Sequence, residues 1–343
     1  MKKLFLSLVV LMAATVSFAQ NSLVATLSHG EDVSMYYGTY ALCDAHNAAV
    51  SGDVINLSGG AFQAVNITKG ITLRGTGIDD TAPTYIIGDF TINVTTDDAN
   101  RLSMEGIRCT GTITMQGTFD NPYFVKSAFY GFSYHYSSTN IKNAMFVDCR
   151  ISGGYTLRGM STVQFINSYV GGFQNESETS STAAFINCVI RPYESISSYS
   201  ASDRYSFPSY IRSSQLLNCI IFYEKYGNQV YQLPSSTVAT NCISINYNNL
   251  FGQQTANKGN GASSFAAMFK SFTGTYSEAE QFELTDEAKT SYLGNDGTEV
   301  GMHGGVMPYN TTPSYPQITK MNVANKTTAD GKLSVEIEVS AAE

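Results

Sequence analysis

Along the middle of the chain, apolar and polar positions recur in a fixed six-residue phrase. An apolar residue opens it, a small polar pair fills its centre, and a mostly apolar pair closes it. The phrase reads Phe124-Val125-Lys126-Ser127-Ala128-Phe129, Phe146-Val147-Asp148-Cys149-Arg150-Ile151, Phe165-Ile166-Asn167-Ser168-Tyr169-Val170 and Phe185-Ile186-Asn187-Cys188-Val189-Ile190. Weaker copies stand at Leu216-Leu217-Asn218-Cys219-Ile220-Ile221 and Ala239-Thr240-Asn241-Cys242-Ile243-Ser244. Successive starts lie 22, 19, 20, 31 and 23 residues apart. These intervals are too short for propeller blades or paired-helix repeats, and they suit one turn of a β-solenoid.

Each slot of the phrase then has an expected duty. The opening and closing apolar residues point inward and stack on their equivalents one coil away. Asn tolerates the left-handed backbone of a tight corner, and its amide is expected to bond along the column to the next Asn. Asn167, Asn187, Asn218 and Asn241, extended by Asp148, would form that ladder. Cys149, Cys188, Cys219 and Cys242 share one slot, which Ser127 and Ser168 fill in other coils. Six cysteines in an exported chain ordinarily suggest disulfides. Stacked strands lie about 4.8 Å apart, within reach of a bridge, but in-register side chains point the same way and fit the S–S torsion poorly. Buried free thiols acting as small apolar residues are therefore expected, with one bridge as the alternative; Cys43 and Cys109 stay unassigned.

Flanking elements complete the outline. A first strand covers 23–28, and 37–49 reads as a short helix with Leu42, Ala45, Ala48 and Ala49 on one stripe, placed to close the open end of the solenoid. Alternating strands follow in 52–62 and 67–77. Near the end, Thr285 is a good N-cap and Gly294 a good C-cap for a short helix. Beyond Pro316, alternation over 318–323 and 333–339 around a turn predicts a hairpin. It is expected to pack on the last coil as a lid, with a docking tag as the alternative, since a lone hairpin is marginal in water.

The N-terminus changes the compartment. Lys2 and Lys3 precede an apolar run from Leu4 to Ala14, and Ser17-Phe18-Ala19 supplies small residues before a cleavage point, the layout of a secretory signal peptide over 1–19. The run is too short to span a bilayer. The first cysteine is Cys43, so no lipoprotein anchor is expected, and the mature chain is placed outside the cell, on its surface or in the periplasm. Without Lys2 and Lys3 the 20 basic residues fall to 18 against 28 acidic ones, a balance that argues against nucleic acid and anionic membrane surfaces. One long domain is expected over 21–310, with its N-terminal cap at 37–50 and the hairpin in 311–343. A monomer is expected.

A helix, then Gly52-Asp53-Val54-Ile55-Asn56-Leu57-Ser58-Gly59-Gly60-Ala61-Phe62, then Ile67-Thr68-Lys69-Gly70-Ile71-Thr72-Leu73-Arg74-Gly75-Thr76-Gly77, then Asn-Cys coils resemble the opening of the pectate-lyase-like superfamily. The resemblance covers 37–309. Gly259-Asn260-Gly261, Phe282-Glu283-Leu284-Thr285-Asp286-Glu287 and Leu293-Gly294-Asn295-Asp296-Gly297-Thr298-Glu299-Val300-Gly301 resemble the closing segment of exported bacterial β-helix proteins. The Ser17-Phe18-Ala19-Gln20 end of the signal is similar to Bacteroidetes sequences. The resemblance implies an all-β, right-handed parallel β-helix of about 9 coils, and a fold shared with pectate lyases, polygalacturonases and pectin methylesterases.

Fold alone does not carry chemistry. Pectate lyases need clustered acids for calcium and a placed arginine, and no such set stands in neighbouring coils. Polygalacturonases use paired aspartates, Gly-His-Gly and Arg-x-Lys; here Asp79-Asp80 and Asp97-Asp98 sit in turn-like segments, and His303 lies outside the coils. Glycosidases need two carboxylates about 5–10 Å apart, yet between Cys109 and Tyr193 the acids are Asp120, Asp148, Glu176 and Glu178. Asp148 and His135 are the weak catalytic candidates, and no metal or cofactor is expected. Aromatics are plentiful instead. Tyr130, Phe132, Tyr134 and Tyr136 alternate and would share one strand face, either as a buried stack or as a platform for sugar rings. The long interval after Phe185 places Tyr193, Tyr199, Arg204, Tyr205 and Tyr210 in an extended loop suited to recognition or to plain packing. The leading expectation is an exported protein that binds carbohydrate or a cell-surface glycan; a divergent polysaccharide lyase or glycosidase and an adhesin or scaffold are the alternatives.

Overall fold

The computed structural model describes residues 23–79, 82–94, 101–153, 155–156, 160–174, 181–192, 194–196, 204–206, 211–222, 232–245, 250–252, 265–271, 280–323, 326–327, 330–332 and 334–340. The signal segment 1–19, Asp97-Asp98, Tyr193, Tyr199 and Tyr210 lie outside the described residues, as do the side chains of Tyr134, His135, Tyr136, Arg204 and Tyr205.

The chain forms a parallel β-solenoid, an architecture consistent with the pectate-lyase-like superfold. It alternates between two stacked sheets. The first runs from Asp32–Tyr37 at one edge through Val24–His29, Val54–Leu57, Thr72–Arg74, Ser103–Glu105, Tyr123–Val125, Ala144–Val147, Thr162–Ile166, Thr182–Ile186 and Ser214–Leu217 to Val238–Thr240. The second runs from Gly60–Gln63 through Thr84–Ile87, Ile107–Asp120, Ala128–Lys142, Arg150–Ile151, Tyr169–Gln174, Val189–Pro192 and Ile220–Phe222 to Ile243–Ile245. Pairing within the stack is parallel except at the start, where Asp32–Tyr37 and Val24–His29 form an antiparallel hairpin whose second partner is Val54–Leu57. Helix Ala41–Ala48 packs on these first strands. Its buried face is Ala41, Leu42, Ala45 and His46, while Ala48 is exposed.

The phrase is the corner between the sheets. Its opening residues stack as predicted: Phe124 on Phe146 at 4.7 Å, Phe146 on Phe165 at 5.0 Å, and Phe165 on Phe185 at 4.9 Å between ring centroids, the spacing of neighbouring strands. Asp148, Asn167, Asn187, Asn218 and Asn241 all adopt left-handed backbone, with φ between 47° and 55°. Lys126 does the same at 51°, a costlier choice for a side chain with no local hydrogen bond to offer.

The small slot holds free thiols, all six cysteines being unpaired, and they are more than small apolar fillers. Each thiol of the column donates to the carbonyl two residues back: Cys149 to Val147, Cys188 to Ile186, Cys219 to Leu217 and Cys242 to Thr240, at 3.2–3.3 Å. Ser127 and Ser168 donate to Val125 and Ile166 in the same way. The slot therefore selects a small donor that adds a second hydrogen bond to a carbonyl already accepting the corner N–H of the neighbouring coil, as Val147 does from Lys126 and Ile186 from Asn167.

Three expectations fail where the C-terminal segment returns. Segment 280–315 crosses the last coils and descends the outside of the solenoid as a strap. Asn218 exchanges hydrogen bonds with Asn295, Asn167 donates to the Met302 and Gly304 carbonyls at 2.7 Å, Lys126 reaches the Thr312 carbonyl, and Ser314 donates to Glu105. Tyr315 ends the descent on the Gly75 carbonyl, with Arg74 over its ring. The amides of Asn167 and Asn218 thus dock the strap rather than bonding up the column to each other. A carbonyl carried by the strap offers them a direct partner at the corner, where their side chains already point outward. The hairpin Gln317–Val323 with Val335–Ser340 consequently departs from the early coils, and residues 334–339 are all exposed. It does not close the last coil as a lid. The short helix within the strap, Asp286–Ser291, has Thr285 as its N-cap, accepting from the Ala288 N–H, but Tyr292 and not Gly294 ends it. Gly294 instead lies against the Asn218 amide, too close for any Cβ.

Beneath the strap lies a second core. Tyr169, Val189, Ile220 and Ile243 face outward from the second sheet and are buried against Met268, Phe269, Phe282, Leu284, Val300 and Met302. Gly301, at φ 86°, passes so close to Ile220 that a Cβ would sit 2.6 Å from its Cδ1.

Candidate functional site

Among the described residues, the outer face of the first sheet is open over the later coils. Alternation points Val163, Phe165, Ala183, Phe185 and Leu216 inward and leaves Thr162, Gln164, Thr182 and Gln215 outside. Register aligns these positions into rows. Gln164, Ala184, Gln215 and Val238 stand side by side across four strands, with Thr162 beside Thr182. Ala184 is the shortest member of its row, so Gln164 and Gln215 become walls on either side of it.

The result is a groove of about 370 Å³ lined by these residues with Ser213, Ser214 and Ser236. Its size falls within the range of small-molecule sites. Among the described residues, the lining holds hydroxyls, two primary amides and short apolar side chains, and no charged group. Part of the hydroxyl edge is already oriented: Thr162 bonds Asn143, Thr182 reaches the Ser161 carbonyl, and the Ser236 hydroxyl accepts the Ser213 N–H. The Gln164 and Gln215 amides project from exposed positions on a rigid sheet. Such a surface can exchange donors and acceptors with a neutral, hydroxyl-rich chain without desolvating an ion.

Several predicted residues lie elsewhere. Tyr130 is 58% exposed and belongs to the second sheet, away from the groove lining. Tyr130 and Phe132 do not share a face, as Phe132 is buried among Phe124, Phe129 and Phe146. The reason is a corner inside strand Ala128–Lys142: its register with Ile107–Asp120 shifts between Phe129 and Gly131, so Phe129 and Phe132 both turn inward and Tyr130 is left at the outer bend. The platform of four rings is therefore broken at its first member. In the long interval, Glu194–Ile196 pairs antiparallel with Arg204–Ser206, a small hairpin rather than an unstructured loop. The chain then re-enters the first sheet through Ile211 to Ser214, where Ser213 and Ser214 line the groove.

Asp148 occupies a corner under the strap. It is buried, accepts the Asn310 N–H, and leaves Oδ1 without a partner. Burial pushes its carboxyl up to about 7, with Lys126 and the Asn310 N–H opposing the rise. Its neighbour Arg150 is also buried, held by Asp79 at 3.2 Å, by Gln281 at 3.1 Å and over the Tyr309 ring. His303 bonds the Gln281 carbonyl and meets the edge of the same ring. These polar groups fasten the strap to the solenoid. Among the described residues, no group of three or more histidines, cysteines and carboxylates converges as a metal site would.

No protein-family model matches the chain, and no curated protein and no solved structure matches it.

The groove residues escaped the sequence reading because they lie just before the phrase. Ser161-Thr162-Val163-Gln164-Phe165 and Ser181-Thr182-Ala183-Ala184-Phe185 repeat one another at the interval of a coil. That second repeat, Ser-Thr three residues ahead of the stacked Phe, was the available signal.

Proposed function

We propose that this chain is an exported β-helix protein, a divergent member of the pectate-lyase-like superfamily, that binds a neutral carbohydrate chain along the outer face of its first sheet. The observation that carries the reading is the uncharged groove walled by Gln164 and Gln215 and floored by Ala184. Sugar hydroxyls match its hydroxyl and amide lining, and an acidic protein with no basic residue among the described lining of the groove offers little counter-charge to a polyuronate. Rows that run across successive strands suit a linear ligand lying along the stack. The burial of Asp148 beneath the strap supports binding over hydrolysis, because a general acid must reach the glycosidic oxygen.

A panel of neutral and uronate-containing glycans, read by calorimetry and by assays for new reducing or unsaturated ends, tests this reading. Retention of a neutral glycan without turnover, lost on Ala184→Arg with unchanged thermal unfolding, is the expected result. Turnover, uronate preference, or binding indifferent to Ala184→Arg would overturn it.

A further inference from the structure

Among the described residues, the first edge of the solenoid has no strand across it. Strand Asp32–Tyr37 has one strand partner there, Val24–His29, paired in six consecutive registers with no bulge. It contains no Lys and no Pro. Natural sheet edges are ordinarily blunted by such devices, and terminal solenoid coils by a polar outer surface. The hairpin Gln317–Val323 with Val335–Ser340 carries them, with Lys320, Glu336, Glu338 and a register shift between Ile318 and Lys320. The first edge instead presents Val33, Met35 and Tyr37 at 63%, 55% and 62% exposure, flanked by Tyr40 at 63%.

Backbone geometry makes this edge self-complementary. The hairpin closes on the His29–Asp32 pair, and the Gly38 N–H bonds the Leu23 carbonyl. Alternation of an antiparallel ladder then turns the N–H and C=O groups of Val33, Met35 and Tyr37 away from the solenoid. A second copy related by a two-fold axis at Met35 would meet them in register. Met35 would face its own equivalent, and Val33 would face Tyr37 of the other strand, twice. Every outward donor would meet an outward acceptor, and all three apolar residues would fall on one face. The strand's single charged residue, Asp32, would stand opposite Gly38, so no like charges oppose each other.

We propose that Asp32–Tyr37 is an interface for a second copy of this chain, joining two solenoids edge to edge through an antiparallel pairing centred on Met35. The pairing merges the two first sheets and places the grooves on a common, continuous surface.

Sedimentation velocity of the mature protein over a concentration series tests it. The expected result is a concentration-dependent dimer whose dissociation constant rises at least about tenfold on Met35→Lys, which opposes two ammonium groups at the axis. Val33→Lys alone and Tyr37→Glu alone weaken it, and the two combined restore it, because each introduced charge meets its opposite across the axis. Circular dichroism and thermal unfolding of these surface variants stay those of the parent. A monomer at every concentration, a dimer insensitive to Met35→Lys, or a double variant no tighter than either single one would overturn the proposal.

Discussion

The two outer faces of this solenoid start from the same backbone and end with opposite chemistry. On the second sheet, the outward slot of the phrase passes from Arg150 to Tyr169, Val189, Ile220 and Ile243, and all five are buried under the returning strap. On the first sheet, the outward row of Gln164, Ala184, Gln215 and Val238 has no described segment across it and forms a groove. Regular coils therefore do not dictate which face is a core and which is a site. The decision lies in one slot per coil, and in whether a non-repeating segment arrives to cover it.

Replacing matched residues on the two faces should break the symmetry most clearly. Ile220→Ala removes a fully buried side chain from the covered face and is expected to cost about 2–5 kcal/mol. Gln215→Ala, on the open face of the neighbouring strand, should stay within about 0.5 kcal/mol. Paired urea titrations measure the difference, and equal costs would mean that the strap does not shield the second sheet.

Corner residues sharpen the contrast at smaller scale. Asn167 and Asn143 share the left-handed backbone, at φ 47° and 53°, but Asn167 is buried and bound to two strap carbonyls while Asn143 is exposed. Substituting Ala at 143 should cost about 1–2 kcal/mol for the backbone, besides the exposed bonds of its amide with Asp120 and Thr162. At 167 the loss of two buried hydrogen bonds adds about 1–3 kcal/mol. Chemical denaturation of the two variants distinguishes these costs.

Asp148 offers a pH test confined to the covered side. Its carboxyl titrates near 7 when folded, against an ordinary value near 3.8, so the folded state holds the proton where the unfolded state releases it. Stability should fall as pH rises from about 4 to about 7 and level off above that. Asp148→Asn keeps a left-handed-tolerant residue and removes the titration, so its stability should exceed the parent's at pH 8 and match it near pH 4. Thermal melts across that range check the sign; a parent that gains stability between pH 4 and 7 through this residue would contradict it.

The smallest effect concerns thiols. Cys149, Cys188, Cys219 and Cys242 are fully buried, and burial raises the thiols of Cys149, Cys219 and Cys242. Cys43, half-buried at the helix, should be the one modified by a maleimide in the native protein, with the others reacting only after unfolding. Mass spectrometry of labelled peptides reads this directly.

Much of this is legible in the sequence, because a solenoid repeats its local problem in every coil. Asn at the corner, Phe in the stack and a small residue after the Asn each answer a constraint that recurs about every twenty residues, so sequence period and structural period coincide. The strap was hidden for the opposite reason: 280–315 solves a different problem at each residue and has no period to betray it. One clue did exist. The fifth slot of the phrase turns from Arg to Tyr, Val, Ile and Ile, apolar where an open face needs none. Tyr130 and Phe132 do not share the expected face because period-two alternation assumes an unbent strand, and the register shift at Tyr130 turns the chain through a corner; the side chains of Tyr134 and Tyr136 lie outside the described residues.

The strap also alters how the molecule must unfold. A solenoid whose coils touch only their neighbours behaves as a linear chain of nearly independent units, which can fray from either end. Here one covalent segment is fastened in turn to Asn218, Asn167, Lys126, Glu105 and Gly75. No coil in that span can melt without losing a contact that also holds its distant neighbours. The array should therefore denature in a single cooperative transition, and fold slowly, since the contacts that lock it join residues more than two hundred positions apart.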